Sequence, residues 1–217
     1  MKTATKSMAT ATVPRRRRTQ HERRAETIRK LIAATIACLN ECGYAGTTTT
    51  LVARRAGVTR GALQHHFQSK DDLLVATHVH VSHLLHARLA RMIDRRGPLR
   101  QRCGQVVTLL WEVFGSPEYT AALELTLGTR NERELHRAIT RIRTLSMRRE
   151  DRMWLELFAD ARAPRARVRD SRYFLWECLA GLSIQAMFRR RPGFVDDCLR
   201  MAAEALQSLL EGAAGRR

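Results

Sequence analysis

Gly57 separates two short apolar patterns that can only be short helices. Before it, Thr47 and Thr48 are placed to cap a helix carrying Val52, Ala53 and Ala56; after it, Leu63 and Phe67 are inward anchors of a second helix running from Thr59 to about His66. A glycine at this joint supplies the positive φ that ends the first helix, and Val58-Thr59 restarts the chain. Two short helices joined by a tight glycine turn form a helix-turn-helix.

The surrounding pattern is helical as well. Thr19 followed by Glu22 has capping-box spacing, and Ile28, Leu31, Ile32, Thr35, Ile36 and Leu39 recur at helical intervals until Gly43, where a stop is expected. Ser69 caps a long fourth helix with Asp71 and Asp72 in its first turn. Its inner stripe is Leu74, Val81, Leu84, Leu85, Leu89 and Met92, and Gly97-Pro98 breaks it. Further helices are expected at roughly 99–114, 117–127, 132–160, 165–188 and 194–210, with no competing strand pattern. The penultimate helix is apolar on nearly every side, and the last carries a clean stripe of Val195, Leu199, Ala202, Ala203, Leu206 and Leu210. This pair is suited to a four-helix interface between two copies.

The expected fold is therefore all-α. Residues 1–18 are expected as a disordered basic arm, 19–70 as a three-helix helix-turn-helix domain, and 71–217 as a larger helical domain whose last two helices suit dimerisation. The formal net charge of +18 calls for a polyanionic partner, and about ten of those charges fall within Met1 to Asp71. Cys38, Cys42, Cys103, Cys178 and Cys198 are odd in number and scattered, unlike a secreted disulfide framework, so a reducing cytoplasm is expected. No apolar run has the length of a signal peptide or a membrane span.

The stretch GYAGTTTTLVARRAGVTRGALQHHFQSKDDLL, from Gly43 to Leu74, resembles the DNA-binding domain of the TetR family of bacterial regulators. Gly43-Tyr44, the threonines of helix two, Ala53, Ala56-Gly57-Val58, Gly61, Leu63, His66-Phe67 and Ser69-Lys70 all stand at the family's spacing. The resemblance implies a third helix in the major groove, with Arg60, Gly61, Ala62, Gln64 and His65 facing DNA. Thr49, Thr50, His66 and Lys70 are then at or near phosphates. Arg60 suits bidentate bonding to guanine and Gln64 to adenine. Gln64 replaces the tyrosine that usually packs on the DNA backbone in this family, so its role stays open between lost phosphate contact and base readout.

Other features carry less. The Arg15 to Arg18 run is either a minor-groove arm or a solvated tail. Arg54 and Arg55 are either a solvated face or phosphate contacts. His83 and His86, beside His78 and His80, have a metal-ligating spacing without cysteine or carboxylate nearby, and no metal or cofactor is expected. Cys38 and Cys42 are expected as small core side chains. Trp111, Phe114, Tyr119, Met153, Trp154, Phe158 and Phe174, with Tyr173 and Trp176, are candidates for an effector pocket, with ordinary core as the alternative.

The function the resemblance implies is a ligand-responsive repressor, acting as a homodimer on a palindromic double-stranded operator, with 71–217 as the effector-binding and dimerisation domain that answers to an apolar or amphipathic effector. The rival from another class is an architectural protein that coats any duplex. An enzyme is not expected: there is no nucleophile-base pair, phosphate loop or His-Glu-x-x-His motif.

Overall fold

The computed structural model describes residues 19–91, 97–188 and 191–212; the N-terminal arm and Met92 fall outside them, as does the Leu89 side chain. Among the described residues there are helices and no strands: α1 (Gln20–Gly46), α2 (Thr49–Ala56), α3 (Arg60–His66), α4 (Lys70–Arg91), α5 (Leu99–Phe114), α6 (Pro117–Gly128), α7 (Arg133–Leu157), α8 (Arg165–Ala186) and α9 (Phe194–Glu211).

Local chemistry sets the boundaries of the first four. Thr19 Oγ1 accepts from the Glu22 amide at 3.2 Å while the Thr19 amide donates to Glu22 Oε2 at 2.8 Å. Thr48 accepts from the Leu51 amide at 3.2 Å, and Thr59 from the Ala62 amide at 3.1 Å. Ser69 and Asp72 cap each other's amides reciprocally at 3.0 Å. Each cap satisfies an amide that the first helical turn leaves without a partner, a contribution of about 1 kcal/mol. Gly57 ends α2 at φ 66°, ψ 33°, and its neighbour Val58 donates back to the Ala53 carbonyl at 3.0 Å. Gly43 behaves differently from a stop: at φ 66° it kinks α1, and one more turn follows before Thr47.

Three apolar clusters organise the chain. Leu31, Ala34, Cys38, Val52, Ala53, Leu63, Phe67 and Leu73 hold α1, α2, α3 and the start of α4 together. With Leu63 only 1% exposed, its truncation to alanine would cost ~2–5 kcal/mol and release the third helix. A second cluster, Leu39, Leu74, Ala121, Leu125, Leu135 and Ile139, joins α1 and α4 to α6 and α7. The largest cluster is built from α5, α7, α8 and α9.

Two buried arginines lie in the larger part. Arg102 donates to the Leu157 carbonyl and to Asp160, each at 2.6 Å, just where α7 ends. This termination comes three residues short of Asp160, the end suggested by periodicity. Arg172 bridges Asp151 Oδ1 at 2.7 Å and Glu150 Oε2 at 3.2 Å, tying α8 to α7. Among the cysteines, Cys38 and Cys103 are buried, whereas Cys42 is exposed and donates its thiol to the Cys38 carbonyl; it is not a core side chain.

The coverage of α8 is one-sided within a single chain. Val168, Leu175 and Leu179 are buried, but Phe174 is 48% and Phe188 77% exposed, with Met187 and Ile184 also open. No helix among the described residues is long and apolar enough to cross a membrane.

Candidate nucleic-acid interface

α3 is amphipathic over two turns. Leu63 is buried and Phe67 follows it inward, while Arg60, Gly61, Gln64 and His65 are exposed together on the opposite face. Ala62 and His66 are half-buried at its margins. Thr50 is exposed and Thr49 half-exposed at the N-terminus of α2, where free amides and the helix dipole favour an anion.

Nothing inside the fold requires glycine at position 61. Its φ is not positive, and a Cβ there would meet only Thr59 Oγ1, at 4.0 Å. The missing side chain therefore shapes the outward surface and relieves no internal contact.

The flanking basic groups differ in freedom. Arg55 is held in an ion pair by both carboxylate oxygens of Glu41, which also draws the Glu41 carboxyl below its ordinary range. Arg54 is exposed. Lys70 is half-buried, with Nζ 3.4 Å from the Tyr44 carbonyl and 4.5 Å from the centre of its ring. Burial, with repulsion from His65 and Arg24, holds the His66 imidazole below the usual histidine range.

Tyr44 connects the first three helices to the rest of the chain. Its hydroxyl donates to Glu132 Oε1 at 2.6 Å, and its side chain lies against Gly128 at the end of α6. Burial, reinforced by the Glu132 bond, raises its phenol above the ordinary range.

A cavity of about 400 Å³ opens among α4, α6, α7 and α8. Its apolar wall includes Leu85, Leu123, Met147 and Trp176; its polar wall includes His78, Tyr119, Arg143 and Glu150. Burial, with Arg143 second, brings His78 down to about 4, and burial pushes Tyr119 up to about 12.

Of the aromatic candidates, Tyr119 and Trp176 are in this wall. Phe114 is in the core, edge-on to Tyr119 at 4.6 Å and to Trp176 at 4.8 Å. Trp154 meets Phe158 edge-on at 4.9 Å and donates to the Val168 carbonyl at 2.9 Å. Trp111 and Met153 pack partly buried against the same core, and Phe174 lines an open groove between α8 and α9. Sequence spacing did not single out His78, Arg143 or Glu150 for the cavity; an i, i+7 placement of Arg143 and Glu150 on one face of α7 was the available signal.

Among the described residues no group of three or more His, Cys, Asp or Glu side chains is gathered as metal ligands. His78 is buried, His80 and His83 are exposed, and His86 is half-buried.

A helix-turn-helix with an exposed third helix, joined to a larger set of helices, is the architecture of helix-turn-helix regulators of transcription. Residues 31–77 match the family described as bacterial regulatory proteins, tetR family. The transcriptional regulator CymR of Pseudomonas putida is 30% identical over 179 residues, 81% of this chain and 86% of that protein. The regulator BetI of Burkholderia ambifaria is 30% identical over 183 residues, 83% of this chain and 92% of that protein. The fold is similar to that of a transcriptional regulator from Rhodococcus sp. Rha1, with a TM-score of 0.70 at 20% identity, over 86% of this chain and 98% of that one. The chain belongs to the tetR family and is a DNA-binding transcriptional regulator.

Proposed function

We propose that the protein is a ligand-responsive repressor that binds a palindromic operator as a homodimer. The observation that carries this reading is the exposed row of Arg60, Gly61, Gln64 and His65 on a helix whose other face is locked into a core. In the major groove, Arg60 would bond guanine O6 and N7 and Gln64 would bond adenine N6 and N7, while Gly61 and Ala62 allow close approach. Thr49, Thr50, His66 and Lys70 would sit at phosphates, fixing register without reading sequence.

Dimerisation is supported by the uncovered apolar side of α8 and by Met201 of α9, 67% exposed. A second copy meeting this face would bury both helices and set two recognition helices about 34–36 Å apart, or a multiple of it.

The cavity supports an amphipathic effector, since apolar walls and a few polar groups are what small-molecule sites combine. Its volume equals that of about a dozen water molecules at roughly 30 Å³ each. α4 carries His78, Ser82 and Leu85 into the wall and begins at Lys70 beside the reading head; α6 carries Tyr119 and Leu123 and ends against Tyr44. An effector that fits one arrangement of these helices better shifts the dimer out of operator register. Repression rests on family membership, and a cytoplasmic setting on the need to meet the chromosome.

Footprinting on a selected duplex, with a reporter promoter carrying it, tests this reading. Two protected half-sites about one turn apart, and reporter output lowered by the protein, are expected. A single protected half-site contradicts the dimer, and raised output contradicts repression.

A further inference from the structure

α7 carries Arg133, Arg137, Arg141, Arg148 and Arg152, all exposed. At 3.6 residues per turn they fall within a sector of about 100°, on the side opposite the buried Leu135, Ile139 and Leu157. Arg137 pairs with Glu134 at 2.8 Å. Arg133, Arg141, Arg148 and Arg152 make no ion pair with any described residue.

Such a ridge opposes helix stability. Like charges at i, i+4, as at 133, 137 and 141 and again at 148 and 152, cost a helix roughly 0.2–0.5 kcal/mol per pair. Two carboxylates share this sector, Glu134 paired with Arg137 and Asp151 paired with Arg172. Arg133, Arg141, Arg148 and Arg152 have no carboxylate partner among the described residues, so an external anion would relieve their repulsion.

The spacing selects the kind of anion. From Arg133 to Arg152 the ridge runs about 28 Å at 1.5 Å per residue. Over that length one strand of a duplex presents about eight phosphates, one per 3.4 Å. Guanidinium groups bind phosphate oxygens in pairs of parallel hydrogen bonds. A bilayer would need an apolar face beside the charge, and Leu145 is the single large apolar side chain exposed along α7 among the described residues.

We propose that the outward face of α7 is a second DNA-binding surface, holding a duplex segment apart from the one read by α3. The inference needs only that the protein meets DNA, and stands whether or not an effector exists. Neutralising about four phosphates gives a salt slope near −3.6, so affinity for the second duplex falls roughly 150-fold between 50 and 200 mM salt.

The test is capture of a second, labelled duplex by full-length protein already bound to an immobilised operator. The triple variant Arg141→Gln, Arg148→Gln, Arg152→Gln should lose capture and its salt slope while keeping operator affinity. A charge-matched triple, Arg100→Gln, Arg162→Gln, Arg169→Gln, should keep capture. No capture by the wild type at 50 mM salt, capture that persists in the ridge variant, or equal loss in both triples overturns the proposal. Capture of anionic phospholipid vesicles with none of duplex overturns it in favour of a membrane surface.

Discussion

Tyr44 closes on Gly128 so tightly that a Cβ at position 128 would lie 2.4 Å from Tyr44 Cβ and 2.6 Å from its Cγ. Contacts under 3 Å to the root of a side chain cannot be relieved by a rotamer, so α1 and α6 would have to separate. Gly128→Ala should therefore destabilise the protein by ~1–3 kcal/mol, as overpacking does, and break the Tyr44 to Glu132 hydrogen bond. Urea denaturation with operator titration checks this. Unchanged stability together with unchanged operator affinity would mean that the α1–α6 joint is soft and transmits little.

At position 61 folding and binding should part. With no steric need for glycine and a helical backbone, Gly61→Ala should stabilise α3 by about 1 kcal/mol. The added methyl stands on the face assigned to DNA, so affinity for duplex should fall. A variant that is both more stable and equally tight would remove Gly61 from the interface.

Arg60 and Lys70 should fail in different ways. Arg60→Ala should relax preference at one operator position at a cost of ~1–3 kcal/mol. Lys70→Ala should weaken all duplexes about equally, with a smaller salt slope; it should also cost some stability, because Lys70 rests on the Tyr44 ring and carbonyl. Competition titrations with single-base operator variants separate the two. Unchanged specificity in Arg60→Ala would shift the register assigned to α3.

The four N-terminal helices were legible because their signals are local. Thr19, Thr48, Thr59 and Ser69 each cap the turn that follows them, and Gly57 needs only its own φ. What escaped is set by tertiary contact. Nothing local to Arg102 or Arg172 marks either as buried; the Leu157 carbonyl, Asp160, Glu150 and Asp151 reach them only in the folded chain. Phe114, Trp154 and Phe158 were candidates for a pocket, yet rings of that size find one another in the core, and the cavity wall is left to mixed residues such as His78, Arg143 and Met147.

His78 makes stability depend on acid. Its folded value near 4 lies below the ordinary 6.5, so the unfolded chain binds the extra proton between these limits. The contribution is fully present above pH 6.5 and is lost as pH falls toward 4. From pH 7 to 5 the wild type should lose about 2 kcal/mol more than His78→Gln, read from urea midpoints. Parallel losses in the two proteins would place His78 in contact with water.

Selection of duplexes from a random library by the purified protein at near-physiological salt, followed by sequencing of what stays bound, bears most directly on sequence-specific dimeric recognition. A palindromic motif with two half-sites about one helical turn apart, or a multiple, is the predicted result. Tight binding with no enriched motif would contradict it and favour an architectural protein that uses its +18 charge to coat DNA.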